Sequence, residues 1–272
     1  MCPRKCRINR NKGETGICRT ARQASVSSFN AHFAEESPLV GRKGSGTIFF
    51  TYCSLMCCFC QNFDISRDGV GGQVTDEELA AIMLSLQDAG CHNINLVTPS
   101  HVVAQALSAL EKAVPAGLSL PIVYNSSGYD RKETLELLEG IVDIFMPDFK
   151  FWDPEVARAA CDAPDYPDRA RTALVEMHRQ VGDLTLNDAG IAQKGLLVRH
   201  LVLPENMAGT RDVMRFIHHR ISPSTYVNVM RQYRPCGDYL QVPALARAIT
   251  GAEYERALQA AREEGITRFD KR

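Results

Sequence analysis

Three cysteines, Cys53, Cys57 and Cys60, stand three and then two residues apart in the run Cys53-Ser54-Leu55-Met56-Cys57-Cys58-Phe59-Cys60. An apolar stretch, residues 47–52, leads straight into the run and reads as a strand. A chain with this order must end a strand in a tight loop that gathers three thiols. Converging thiols suit a soft metal or an iron–sulfur cluster, because each coordinated thiol is deprotonated and held by the metal. A [4Fe–4S] cluster ordinarily takes four cysteines, so three from one loop leave one iron open, much as a catalytic zinc site keeps one position for a ligand. A zinc knuckle or a buried cysteine group is the plainer alternative, and it lacks a nearby fourth ligand at zinc-finger spacing. Cys58 reads as a small hydrophobe packed inward.

Downstream, strand and helix patterns alternate. Thr75-Asp76-Glu77-Glu78 is a capping box, followed by Leu79, Ile82, Met83 and Leu86 at helical spacing. Residues 93–98 read as a strand, and Ser100 as the cap of a helix with Val103, Ala106, Leu107 and Leu110 on one face. Residues 121–125 form the next strand, and Asp130 with Glu133 is read as capping the helix after it. Residues 141–146 lead to Pro147-Asp148-Phe149-Lys150, and Asp153-Pro154 opens another helix. A strand at 196–203, a helix at 209–219, a last strand at 225–230 and an amphipathic helix at 244–264 complete the chain.

About six strands alternating with helices imply parallel strands joined by right-handed crossovers. That is too few for a closed eight-stranded barrel. The fold class is therefore α/β, an open partial (βα)6 barrel over residues 25–272, preceded by a cysteine-rich segment, residues 1–24. Residues 163–194 read as a cover or partner surface. In parallel α/β barrels functional groups come from the C-terminal ends of strands. Here those ends carry Thr98-Pro99-Ser100-His101, Asn125-Ser126-Ser127, Asp148-Phe149-Lys150, Arg199-His200 and Asn228. Burying such groups unpaired costs on the order of a few kcal/mol each, so they pair with one another or with a ligand.

The 272 residues, 45% of them apolar, suffice for a barrel-sized core, and a net charge of -1 gives no global case for nucleic acid or membrane partners. Ten cysteines are too sparse for a disulfide scaffold. No signal peptide or membrane-length apolar run is visible, which reads as reduced thiols in the cytoplasm. A second cysteine group, Cys2, Cys6 and Cys18, lies among Arg4, Lys5, Arg7, Arg10, Lys12, Arg19 and Arg22 with Glu14 as the one acid. Its alternatives are a second metal site, zinc or iron–sulfur, and free thiols on a mobile terminus. The basic residues read as offsetting bound thiolates or as a solvated face, ahead of a handle for RNA or an acidic partner. Cys91 and Cys161 read as ordinary thiols.

The Cys-x3-Cys-x2-Cys spacing with Phe59 before its last cysteine resembles the signature of the radical S-adenosylmethionine (SAM) superfamily. Gln61-Asn62 resembles the run that follows in glycyl-radical-enzyme activases such as pyruvate formate-lyase activating enzyme. Gly46-Thr47-Ile48-Phe49-Phe50, Pro147-Asp148-Phe149-Lys150 and Gln232-Tyr233-Arg234-Pro235-Cys236 resemble the PflX branch of activase-like proteins. The likeness runs from about Ser25 to the end of the sequence.

The resemblance implies a (βα)6 barrel holding a [4Fe–4S] cluster on Cys53, Cys57 and Cys60, with SAM on the open iron. It implies cofactor contacts at Phe59, Thr98, Ser100, Asn125, Ser127, Asp148, Lys150, Arg199 and His200. It implies reductive cleavage of SAM to a 5′-deoxyadenosyl radical, fed by a low-potential electron donor, with a glycyl radical enzyme as partner. Another peptide, a metabolite or RNA as substrate, or a non-catalytic metal-binding or electron-transfer role, are the alternatives. The resemblance leaves the catalytic side chains unassigned. One departure concerns the glycine-glycine-glutamate expected after the second strand, where Val97-Thr98-Pro99-Ser100 stands instead. The N-terminal Cys2-Pro3-Arg4-Lys5-Cys6 run resembles the Cys-Pro-Arg-x-x-Cys metal module that opens many activase-like proteins, with Cys236 as a candidate fourth ligand.

Overall fold

The computed structural model describes residues 1–271. Residues 1–23 carry no strand and one 3-10 turn, Arg10–Lys12. Strand β1 (Ala24–His32) is followed by a short helix α1 (Ser37–Val40), β2 (Ser45–Phe50), β3 (Gly72–Val74), α2 (Asp76–Asp88) and β4 (Ile94–Val97). Next come α3 (Val103–Ala113), β5 (Ile122–Ser126), α4 (Lys132–Glu136), β6 (Ile144–Pro147), α5 (Pro154–Cys161) and α6 (Tyr166–Val181). The chain closes with β7 (Thr185–Leu186), β8 (Ala192–Leu201), α7 (Thr210–Phe216), β9 (Tyr226–Met230), α8 (Gly251–Glu263) and β10 (Arg268–Phe269).

One mixed sheet holds the strands in the order β10-β9-β8-β6-β5-β4-β2-β1-β3, with β7 paired to β8. Strands β2, β4, β5, β6, β8 and β9 run parallel, matching the six expected from the sequence. Among the described residues no pairing joins β3 to β10, so the sheet is open. Antiparallel β1 and β3 lie outside the expectation. The later half of β1 exposes Ser28, Phe29 and Asn30 in succession, so its burial does not alternate as a half-buried strand's would.

Side-chain alternation sorts the sheet into two faces. Ile94, Leu96, Ile122, Tyr124, Phe145, Leu196 and Val198 pack in the large core with the helices. The intervening Val123, Ile144, Met146 and Leu197 turn to the second face, where α1 inserts Leu39. Asn93 fixes that insertion: its Nδ2 donates to the Leu39 carbonyl (2.9 Å), and its Oδ1 accepts from Ser45 Oγ (2.6 Å). The same two-residue period places Asn95, Asn125 and Arg199 on the second face.

Three cap assignments shift. Ser100 does not cap α3: it lies in a 3-10 turn, Pro99–His101, and Val102 takes the cap position without a side-chain bond. Asp130 is drawn inward, accepting from Tyr124 Oη (2.9 Å) and Ser126 Oγ (2.6 Å), and Arg131 takes the α4 cap position. The helix read from 244 begins at Gly251, because Thr250 and Glu253 form a capping box and start it afresh. Among the described residues no helix is long and apolar enough to cross a membrane.

Candidate metal and cofactor site

Beyond β2 the chain enters the cysteine loop through Tyr52 (φ +70°) and carries Met56 at φ +62° inside it. Left-handed backbone at such residues is strained and persists only where surrounding structure enforces it. Here Leu55 and Phe59 are buried, and Phe59 meets Phe151 and Tyr233 edge-on at centroid distances of 5.9 and 6.0 Å. The thiols of Cys57 and Cys58 are buried, and those of Cys53 and Cys60 are half-buried. Burial pushes the Cys53 thiol up to about 12, and the neighbouring Cys57 and Cys60 charges add to the rise. Burial also raises Cys60, again with Cys57 adding. Thiols crowded in this way, with Cys53 and Cys60 resisting ionisation on their own, are the kind of donor set that a cationic metal centre deprotonates on binding. Among the described residues, no three His, Cys, Asp or Glu side chains stand as a ready-made metal site.

A residue of the N-terminal segment holds this loop in place. Arg4 donates from Nε to the Ser54 carbonyl (2.9 Å) and from Nη2 to the carbonyls of Leu55 (3.0 Å) and Cys161 (2.7 Å). Its Nη1 donates to the Asp162 carbonyl. One guanidinium thus joins the loop to the C-terminal end of α5. The other N-terminal cysteines, Cys2, Cys6 and Cys18, line a cleft of about 1800 Å3 together with Arg7, Arg10 and Arg22. Cys236 stands beside the 53–60 loop, its thiol donating to the Phe59 carbonyl (3.2 Å).

Near the C-terminal ends of β5 and β8, and just past β6, the structure gathers Asn125, Arg199, Asp148 and Lys150. Arg199 Nε donates to Asp148 (2.8 Å) and its Nη2 to Asn125 Oδ1 (2.8 Å), while Lys150 Nζ donates to the other Asp148 oxygen. Burial pushes the Asp148 carboxyl up, but Arg199 and Lys150 outweigh it and hold the group below the usual carboxylate range. Burial works against the Lys150 ammonium, yet Asp148 and then Cys57 hold it above its ordinary value. The Tyr166 hydroxyl accepts from the Lys150 backbone N–H (2.8 Å) and lies 2.9 and 3.0 Å from the carbonyls of Ser127 and Asp148, to which it donates.

Glu35 and Glu36, just ahead of α1, enter the same network and were invisible in the sequence, where they look like an ordinary exposed acidic pair. Arg199 lies 3.7 Å from Glu35 and 3.9 Å from Glu36, and Asn228 Nδ2 donates to Glu36 (2.9 Å). Burial pushes the Glu35 carboxyl up from 4.5 to about 7; Arg199 opposes the rise, and Glu36 and Asp148 reinforce it. Between those two values the folded protein holds a proton that the unfolded chain has released, so stability falls as pH rises through the window. The urea midpoint is therefore expected to drop between about pH 5 and pH 8, and Glu35→Gln is expected to flatten that slope. An unchanged slope in the variant would mean that Glu35 is not the group responsible.

The remaining candidates separate. Thr98 takes a left-handed conformation (φ +61°) at the end of β4, in the loop that replaces glycine-glycine-glutamate, and Ser100 is buried just after it. Ser127 is engaged through its carbonyl by Tyr166. His200 does not join Arg199: it turns to the helix-covered face, with Nδ1 2.7 Å from the Phe149 carbonyl and Nε2 2.9 Å from Thr210 Oγ1. Burial lowers it to about 4, against the pull of the Phe149 carbonyl, so it is a neutral, fully engaged core histidine. Asn95 was missed altogether. Its side chain is completely buried, and among the described residues neither its Oδ1 nor its Nδ2 finds a hydrogen-bond partner.

No protein-family model matches the chain. The chain is 31% identical over 279 aligned positions to the uncharacterized protein MJ0674 of Methanocaldococcus jannaschii, covering 98% of this chain and 75% of that protein. Its fold is similar to that of the crystal structure of methylornithine synthase (PylB), with a TM-score of 0.50 and 17% identity. That match covers 78% of this chain and spans 60% of the length of the solved structure.

Proposed function

We propose that this chain, which belongs to the family of the M. jannaschii protein MJ0674, is a radical SAM enzyme built on an open (βα)6 barrel. The observation that carries the reading is the three-cysteine loop that follows β2 together with the buried Asp148–Lys150–Arg199 network at the ends of the neighbouring parallel strands. Cys53, Cys57 and Cys60 would hold a [4Fe–4S] cluster, three thiolates leaving one iron for an exchangeable ligand. When bound, a reduced cluster supplies one electron to the SAM sulfonium, releasing methionine and a 5′-deoxyadenosyl radical that abstracts hydrogen from a substrate.

The chain's own residues bind and orient. Asn125, Asp148, Lys150 and Arg199 offer fixed charges and amide dipoles for the carboxylate, amine and ribose of SAM. Phe59, Thr98, Ser100 and Ser127 fill the neighbouring strand ends and loop. Asn95, with both amide atoms unsatisfied, is the group in most need of a polar ligand. Aromatic packing of Phe59, Phe151 and Tyr233 keeps water from the loop, which protects a radical from quenching. The finer reading is an activase-like enzyme of the PflX branch that abstracts hydrogen from a glycine backbone position of a glycyl radical enzyme and receives its electron from a low-potential donor. Cys2, Cys6 and Cys18 form a second metal module in that reading, filled by zinc or a further cluster.

The test is anaerobic: reconstitute the protein with iron and sulfide, reduce it, add SAM and quantify 5′-deoxyadenosine beside a Cys57→Ala control. Product is expected from the parent and only background from the variant. A parent that assembles a cluster but neither cleaves SAM nor changes its electron paramagnetic resonance spectrum on adding it would leave a metal-binding or electron-transfer role instead.

A further inference from the structure

Two glutamates reach the second face of the sheet from the chain ahead of α1, and that short helix is tied down from both sides. The Leu39 N–H donates to the Glu36 carbonyl (2.8 Å), and the Leu39 carbonyl accepts from Asn93 Nδ2 (2.9 Å). The Ser37 N–H donates to Asp270 Oδ1 (3.1 Å), which also accepts from Tyr226 Oη (2.9 Å) on β9. Glu36 is thus fixed between β4 and the chain just past β10, and it is 4% exposed, with Glu35 at 8%.

The surroundings of Glu36 satisfy half of its carboxylate. Its Oε1 accepts from Asn228 Nδ2 (2.9 Å), while among the described residues its Oε2 has no hydrogen-bond partner. Arg199 stands 3.7 Å from Glu35 and 3.9 Å from Glu36, beyond hydrogen-bond length, and its Nε and Nη2 are committed to Asp148 and Asn125. Lys150 is likewise committed to Asp148. The buried carboxyls of Glu35, Glu36 and Asp148 therefore face two cations that both bond Asp148.

An independent observation lies on the same face of the sheet. Asn95 is fully buried, and among the described residues neither of its amide atoms has a partner. It follows by two residues Asn93, which holds Leu39, and stands opposite Val123, two residues before Asn125, which holds Arg199. The two-residue period turns Asn95 to the face where α1 and Arg199 are seated. Leaving such polar atoms buried and unpaired costs on the order of a few kcal/mol each, and a bound polar group removes that cost. The group that fits must bring N–H donors and positive charge, because Glu36 Oε2 and Asn95 Oδ1 are acceptors and the carboxyls outnumber the cations. A hard metal ion takes about six or more oxygen ligands, whereas a primary ammonium is a compact charge with three N–H donors. The side chains of Arg199 and Lys150, 18% and 15% exposed, mark the side on which a ligand enters.

We propose that Glu36, with Glu35 beside it and Asn95 on the same face, forms a binding subsite for a protonated primary amine, Glu36 Oε2 accepting from the ammonium. The subsite stands on this geometry; only the source of the amine rests on the SAM reading above, since SAM carries one such group and an amine-bearing substrate carries another.

The experiment compares the reconstituted full chain with Glu36→Gln and Asn95→Leu, each checked for a cooperative urea transition. Calorimetric titrations measure the affinity for SAM, for its deamino analogue (hydrogen in place of the amino group) and, on the SAM-loaded protein, for propylammonium. If the guest is SAM's own amine, the parent prefers SAM to the analogue, and that preference falls about tenfold in Glu36→Gln, as for the loss of one charge-assisted hydrogen bond. If the guest is a substrate's amine, the preference is the same in both proteins, and propylammonium binds the parent about tenfold more tightly than it binds Glu36→Gln. Asn95→Leu should raise the urea midpoint, because it removes unpaired polar atoms, and should weaken the same amine several-fold. Amine binding equal to the parent's in either folded variant would overturn the proposal, as would a parent that distinguishes neither SAM from its analogue nor propylammonium from buffer. A parent that assembles no cluster, yet binds propylammonium more tightly than Glu36→Gln does, would sink the proposed function and leave the subsite standing.

Discussion

Arg199→Met is expected to lower the unfolding free energy by about 3–5 kcal/mol, the range found when one partner of a buried charge pair is removed. The Arg199 side chain is 18% exposed and faces Asp148, Glu35 and Glu36. Methionine keeps most of the volume but leaves Asp148 with Lys150 as its remaining cation and removes the positive charge that faces the two glutamates. Glu35 can relieve part of the strain by taking up a proton, so the loss should shrink as pH is lowered. Arg199→Lys should recover less than half of it, because a single ammonium cannot reach Asp148 and Asn125 in the forked geometry observed. Urea denaturation at two pH values measures both effects. A loss below about 1 kcal/mol would place the guanidinium among weak surface pairs and remove it as the organiser of the site.

Gly128→Ala should be nearly as severe, at about 3 kcal/mol or more, through the backbone. Gly128 follows β5 at φ +73°, and a Cβ there would sit 2.2 Å from the Asp148 carbonyl oxygen. That oxygen belongs to a peptide held by the Tyr166 hydroxyl, and the Asp148 N–H is bonded to the Ser126 carbonyl (2.9 Å). Relief of the clash must displace the residue that pairs with Arg199 and Lys150. Gly140 supplies the control, since its φ is +78° and nothing lies within 4 Å of its would-be Cβ. Gly140→Ala should therefore show only the left-handed backbone cost of about 1–2 kcal/mol. Equal midpoints for the two variants would show that the contact with Asp148 is not what constrains Gly128.

What could be read in the sequence was local in origin. The six parallel strands were legible because a strand covered on both faces is apolar along its length, as in residues 144–146. The cysteine loop was legible because its ligand candidates lie within eight residues. His200 could have been set apart from Arg199 by the two-residue period alone, since neighbours on a strand face opposite ways. The rest depends on residues brought together from afar. Nothing near Glu35 hints that α1 lies against the second face of the sheet, and nothing near Cys161 hints that a helix end meets a loop a hundred residues earlier. Asn95 sits in a strand whose polar residues match the two-residue period, so its lack of partners appears only when its surroundings are seen.

The Arg4 clamp has a consequence for the order in which the protein matures. Its acceptors lie 50 and 51 residues away on one side and 157 and 158 on the other. During synthesis Arg4 emerges early, the cysteine loop later and Asp162 later still, so a nascent chain that ends before Asp162 cannot fasten the loop to α5. Through that interval the thiols are reachable from outside, and afterwards Cys57 is enclosed. If the loop holds the proposed cluster, iron and sulfide delivered as the chain emerges would meet an unfastened loop, whereas in the finished protein four bonds from a single arginine hold it.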